Sequence, residues 1–175
     1  MVRMRWDFLS ELINEEKLKV GYEIGVYKGD TMGRILERCP DIEWHGVDPW
    51  VVCPEYTVAH SGMVWDHDAN YEKSKVIQEQ YGERCILHRA TSVDAAKEVE
   101  DESIDIIFID GLHTYEGVME DITAWFPKVK PEGYICGHDY NGPPRHQGVT
   151  DAVNECFGVD NINVEADLVW WVQKA

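Results

Sequence analysis

Apolar positions recur along the chain in short runs separated by longer stretches of helical spacing. Trp6, Leu9, Leu12 and Ile13 share one helical face and predict a leading helix within residues 1–17. Val20–Ile24 is a first strand that stops at Gly25. A helix capped at Asp30 or Thr31 runs to Arg38, and Pro40 closes it off. Trp44–Val47, Arg84–His88, Ile104–Ile109 and Tyr134–Cys136 are further strands. Helices over 71–81, from Ser92 to about Val99, over 115–126 and over 148–157 fall around them, with Ser92 as the expected cap of its own helix. Ile162–Val164 and Leu168–Val172 make a closing pair of strands. Ile104–Ile109 is β-branched and nearly unalternated, as a central parallel strand covered on both faces must be.

Strands that alternate with helices build a mostly parallel sheet covered on both sides. The expectation is one doubly wound, Rossmann-like α/β domain over 1–175, interrupted by a lid-like insertion at 50–68. In such sheets ligands sit beyond the carboxyl ends of the strands. Five strand ends carry polar residues: Glu23-Ile24-Gly25, Asp48, Thr91-Ser92, Asp110 and His138-Asp139.

Composition narrows the partners. The 175 residues hold 16 Lys+Arg against 33 Asp+Glu, a net charge of −17. That surface repels phosphate backbones and anionic lipid, which weighs against nucleic acid and membrane surfaces. No apolar run reaches bilayer length. The five cysteines form no CxxC pair and point to reduced thiols in a cytoplasmic protein. The first residues are not patterned as a signal peptide.

The strand ends then supply candidate chemistry. Gly25 and Gly29 bracket a turn whose backbone can approach a ligand, or that simply connects strand to helix. Val26 and Tyr27 between them break the dinucleotide spacing and argue against a nicotinamide enzyme. Glu23 suits a cationic ligand group. Asp48 can accept the hydroxyl hydrogens of a ribose, or be a solvated strand-end acid. His113 is a site residue or a turn residue. The loop after the second strand, with Trp50, Tyr56, His60, Trp65 and His67, is a lid or a surface or dimer contact. Arg145 faces the same edge and can meet an anionic acceptor or remain solvated. Trp170-Trp171 puts one indole on each side of the sheet.

Glu23-Ile24-Gly25 with Gly29, Asp48, the segment Phe108-Ile109-Asp110-Gly111-Leu112-His113-Thr114-Tyr115, Lys130-Pro131-Glu132-Gly133 and Gly137-His138-Asp139 together resemble class I S-adenosylmethionine-dependent methyltransferases of the compact bacterial small-molecule type. The resemblance spans about residues 18–172 and implies seven strands, one of them reversed by the last pair. It implies S-adenosylmethionine as cofactor, with Glu23 and Gly25 near its methionine part, Asp48 on the ribose, Ser92 near the adenine and Asp110 beside the sulfonium. Asp110, His113, His138 and Asp139 would form a base set for a small polar acceptor, a hydroxyl first of all. Alternatively Asp110 and Asp139 would hold Mg²⁺, although the paired aspartates of sugar-methylating relatives are absent after the fifth strand. A non-catalytic cofactor-binding or assembly protein on the same fold is the competing expectation.

Overall fold

The computed structural model describes residues 2–51 and 66–175. Its elements run α1 (Arg5–Glu15), β1 (Val20–Ile24), α2 (Asp30–Arg38), β2 (Glu43–Val47), α3 (His67–Tyr81), β3 (Cys85–His88), α4 (Ser92–Lys97), β4 (Ile104–Ile109), α5 (Tyr115–Trp125), β5 (Val129–Gly137), α6 (Gln147–Phe157), β6 (Asn163–Val164) and β7 (Trp170–Gln173). The strands form one sheet in the order β3-β2-β1-β4-β5-β7-β6. The first five are parallel; β7 runs antiparallel to both β5 and β6, so one strand is reversed.

Each face of the sheet builds its own core. Ile107 and Ile109 of β4 point to one side, where they join Val118, Ile122 and Trp125 of α5 and Val149 and Val153 of α6. Ile106 and Phe108 point to the other, toward Phe8, Leu9 and Ile13 of α1 and Met32, Ile35 and Leu36 of α2. This period-two division is why β4 is apolar from Ile106 through Ile109, while Asp105 near its start accepts from Lys19 N and Val20 N. Trp170 and Trp171 separate in the same way, one to each core.

Several boundaries move for local reasons. The helix α3 starts at His67 rather than at 71, because the Asp66 side chain accepts from Ala69 N at 2.9 Å. Thr91, not Ser92, caps α4: its Oγ1 accepts from Asp94 N at 3.2 Å. Strand β5 begins at Val129, because a register shift opposite Ile104 and Ile106 takes up Pro131 to Gly133. Asp167 and Leu168 both turn with positive φ, so β7 begins only at Trp170. Cys39, Cys85 and Cys136 are buried free thiols and Cys156 is half-buried. Cys53, Tyr56, His60 and Trp65, and with them most of the expected lid, lie outside the described residues. No described helix is long and apolar enough to cross a membrane.

Candidate active site

The carboxyl ends of β1, β2, β4 and β5 and the start of α4 surround a cavity of about 740 Å³. Glu23, Gly25, Asp48, Ser92, Asp110, His113, His138 and Asp139 all line it. Gly29, also expected near the cofactor, is not among the lining residues. Its positive φ starts α2, and a Cβ there would lie 2.6 Å from Ile77 Cδ1, so it is a packing glycine.

Gly25 sits at φ +89°, where a Cβ would meet the Asp110 carbonyl oxygen at 2.2 Å. The β1 and β4 ends therefore touch through main chain alone. Asp48 acts on the same loop. Its Oδ2 accepts from Val26 N at 3.1 Å and Tyr27 N at 2.9 Å, and its Oδ1 accepts from Trp50 N at 2.7 Å. Burial raises its pKa above the ordinary carboxylate value despite those three donors. It holds the glycine loop in place as well as facing the cavity.

Glu23 is 2% exposed and accepts from Trp44 Nε1 at 3.0 Å. Burial pushes its carboxyl up to about 8, and the nearby Asp110 adds to the shift. Near neutral pH the carboxyl therefore favours its neutral form.

The other end of the cavity is a dense network. His113 Nε2 lies 3.1 Å from Asp139 Oδ2 and 3.3 Å from Asp110 Oδ1. His138 Nδ1 lies 3.3 Å from Asp139 Oδ2, and His146 Nδ1 2.9 Å from Asp139 Oδ1. Burial works against the Asp139 charge, but the His138 hydrogen bond and the three neighbouring imidazoles outweigh it and hold its carboxyl well below the usual range. Burial likewise lowers the His138 pKa, and the Asp139 hydrogen bond and Asp110 charge reverse that to a net rise. For His146 burial prevails and the pKa falls.

Three members of this network carry no motif signal. Arg5 of α1 donates to His138 Nε2 at 2.9 Å and lies 3.5 Å from Asp110 Oδ2. His146 lies just before α6, where Arg145 Nε donates to His146 Nε2 at 3.1 Å; Arg145 itself does not line the cavity. Asp167 Oδ2 accepts from Arg5 N at 3.0 Å and ties α1 to the β6–β7 turn.

The network also bears on the metal reading. An arginine only donates, so a neutral His138 or His146 carries its proton on Nδ1, the nitrogen facing Asp139. A protonated ring nitrogen is not a ligand. Mg²⁺ demands oxygen donors in near-octahedral array, whereas here each candidate cluster includes at least one imidazole and Asp110 already faces a guanidinium. The described residues do not fit Mg²⁺.

The cavity is rimmed by a glycine turn, a second-strand acid and a strand-four Asp. The methyltransferase-domain family model matches residues 22–140. The chain belongs to the methyltransferase-domain family. Its architecture is that of class I S-adenosylmethionine-dependent methyltransferases. The S-adenosylhomocysteine-bound methyltransferase PaMTH1 of Podospora anserina superposes with a TM-score of 0.72 at 16% identity, covering 100% of this chain and 80% of that one. The O-methyltransferase TomG of Streptomyces achromogenes, solved with S-adenosylmethionine, gives 0.66 at 13% identity, covering 98% and 80%. Among curated sequences, uncharacterized protein R132 of Acanthamoeba polyphaga mimivirus is 26% identical over 158 residues, covering 87% of this methyltransferase domain. Uncharacterized protein y4gI of Sinorhizobium fredii is 33% identical over 69 residues, 39% of the domain. The chain spans 66% and 8% of the length of those two relatives.

The cavity fits S-adenosylmethionine. Its volume lies within the range of small-molecule sites. The missing Cβ at Gly25 leaves the loop backbone close to Asp110, and the buried acid Glu23 lines that end of the cavity together with Asp48.

Proposed function

We propose that this domain transfers the methyl group of S-adenosylmethionine to a hydroxyl of a small polar acceptor. The observation that carries the reading is that one cavity joins the Glu23–Gly25–Asp48 end to the His113–Asp139 end. When bound, the cofactor supplies an activated methyl on a sulfonium. The protein then has to position the acceptor and take its proton.

Glu23 and Asp110 favour the cationic end of the cofactor, Asp48 the ribose, and Ser92 the adenine side. Asp139 remains ionised, so it is a weak base and a good anchor. His113 takes the hydroxyl proton on Nδ1 as the base, and its cation is paired at Nε2 by both Asp139 and Asp110. This is the orienting role that a carboxylate plays for a catalytic imidazole in general. His138, fixed by Arg5, keeps Asp139 oriented. Support for an oxygen acceptor comes from the base network itself and from the fold shared with TomG, an O-methyltransferase.

The acidic composition favours a small-molecule acceptor over nucleic acid, and a cytoplasmic setting accords with the free thiols. The test is methyl transfer from labelled S-adenosylmethionine to a panel of small hydroxylated acceptors. Wild type should turn over at least one of them. His113→Gln should lose about 100-fold or more in kcat, the low end for a general base. Unchanged binding of S-adenosylhomocysteine would accompany that loss. Transfer that survives His113→Gln intact would overturn the base assignment.

A further inference from the structure

Asp121 lies on α5, one turn before Trp125, and has no part in the proton network. It is 5% exposed, yet it lines the cavity together with Ser92 and Gly111. Trp125 Nε1 donates to Ser92 Oγ at 2.8 Å. An indole N–H can only donate, so the Ser92 hydroxyl hydrogen has to go elsewhere, and it goes to the Asp121 carboxyl. The other flank of that carboxyl faces Gly111: Asp121 Oδ2 lies 3.4 Å from where a Gly111 Cβ would stand. The missing side chain at Gly111 leaves the acid open toward the cavity.

Burial pushes the Asp121 carboxyl up to about 7, against the Ser92 hydrogen bond, and the neighbouring Glu120 adds to the rise. A neutral carboxyl offers one acceptor and one donor side by side. An amide offers the same pair, and side-chain amides read adenine through it, taking the amino hydrogen and donating to the adjacent ring nitrogen.

We infer that Asp121, set by the Trp125–Ser92 relay, is the residue that reads the adenine edge of the cofactor. The inference rests on the S-adenosylmethionine reading above and adds a specificity residue to it. One carboxyl oxygen accepts from Ser92 and from the adenine amino group; the other donates its hydrogen to a ring nitrogen. No bond is made or broken.

Calorimetric titration of the full chain tests this with S-adenosylhomocysteine and with its analogue carrying purine, without the 6-amino group, in place of adenine. Wild type should bind the analogue about 10-fold or more weakly, the worth of one good polar pair. Asp121→Asn keeps donor and acceptor and should bind S-adenosylhomocysteine within about 3-fold of wild type, on the same polar-pair scale. Asp121→Leu should lose about 10-fold and bind both ligands nearly alike. Ser92→Ala should show a smaller loss of the same kind. Equal binding of the two ligands by wild type, or an undiminished preference in a folded Asp121→Leu protein, would overturn the assignment. Absence of S-adenosylhomocysteine binding to wild type would instead sink the cofactor reading on which it stands.

Discussion

The main chain of Asp110 closes directly over Gly25, leaving no room for a side chain between β1 and β4: a Cβ on Gly25 would lie 2.2 Å from the Asp110 carbonyl oxygen and 2.6 Å from its carbonyl carbon. Both neighbours are backbone, so neither can swing aside. The positive φ of Gly25 adds a second penalty for any L side chain. Gly25→Ala should therefore push the two strand ends apart. We expect a loss of about 2–4 kcal/mol in unfolding free energy, at the upper end for single substitutions. Cofactor binding should fall with it. Denaturant titration and S-adenosylhomocysteine calorimetry check both parts.

Asp48 separates structural from binding effects in the same loop. Its carboxylate accepts from three backbone N–H groups, those of Val26, Tyr27 and Trp50. Asp48→Ala leaves them unpaired and removes the ribose partner at once. Each bond to a charged acceptor is worth about 1.5–3 kcal/mol, non-additively, so a total loss near 3 kcal/mol is expected. Asp48→Asn keeps an acceptor for part of the loop and should recover about half of that stability. Its cofactor affinity should remain low, because an amide accepts the two ribose hydroxyls less well than a carboxylate. An Asp48→Asn protein that binds S-adenosylhomocysteine as wild type does would assign Asp48 to the loop alone.

Glu23 gives a pH dependence whose sign is fixed by burial. Its carboxyl is raised from 4.5 to about 8, so the folded state holds a proton that the unfolded chain gives up. Its contribution is complete below pH 4.5 and is lost as pH rises toward and through 8. Glu23→Gln should flatten that decline and raise the Tm at pH 8 more than at pH 5. Cofactor binding should run the other way. A cation entering beside Glu23 favours the ionised form, so binding near pH 7 should release up to one proton. Calorimetry in buffers of different ionisation enthalpy measures that release directly. Binding with no proton release would show that the cation sits away from Glu23.

The alternation of strands and helices was legible because β4 is unbroken apolar from Ile106 through Ile109 and because Gly25, Asp48 and Asp110 punctuate strand ends. The reversed strand was legible only through family resemblance, since Trp170 to Gln173 would pattern the same way in either direction. The proton network was half legible. His113, His138 and Asp139 announce themselves by standing just past strands. Arg5 sits on a helix that precedes the first strand, and only tertiary packing of α1 brings it to His138. His146 looked like part of a proline-rich connection. Its one available signal was a histidine directly before a helix that must return over the same sheet edge. Asp121 shares the helical face of Val118 and Trp125, but nothing in the spacing shows that Ser92, on another element, stands beside it. For Gly29, spacing alone cannot tell a glycine that faces a ligand from one that packs against Ile77.

Arg5 carries the last prediction. Its guanidinium donates to His138 Nε2, approaches Asp110, and also donates to Thr31 Oγ1 at 3.2 Å. It opposes the net rise of the His138 pKa, so its removal should carry that pKa further upward. Arg5→Met keeps much of the aliphatic stem and removes the charge. With the donor gone, His138 can place a proton on Nε2 and present a bare Nδ1 to two carboxylates, a repulsive arrangement relieved by protonation. The acid limb of the kcat–pH profile should therefore move to higher pH. At neutral pH turnover should fall about 10-fold or more, because a protonated His138 competes with the base His113 for the Asp139 carboxylate. S-adenosylhomocysteine affinity should change less than turnover does, since its thioether carries no sulfonium charge for Asp110, the partner of Arg5, to pair. An unmoved acid limb would mean that the protonation of His138 does not govern turnover, and the orienting role would pass from the Arg5–His138 pair to His146.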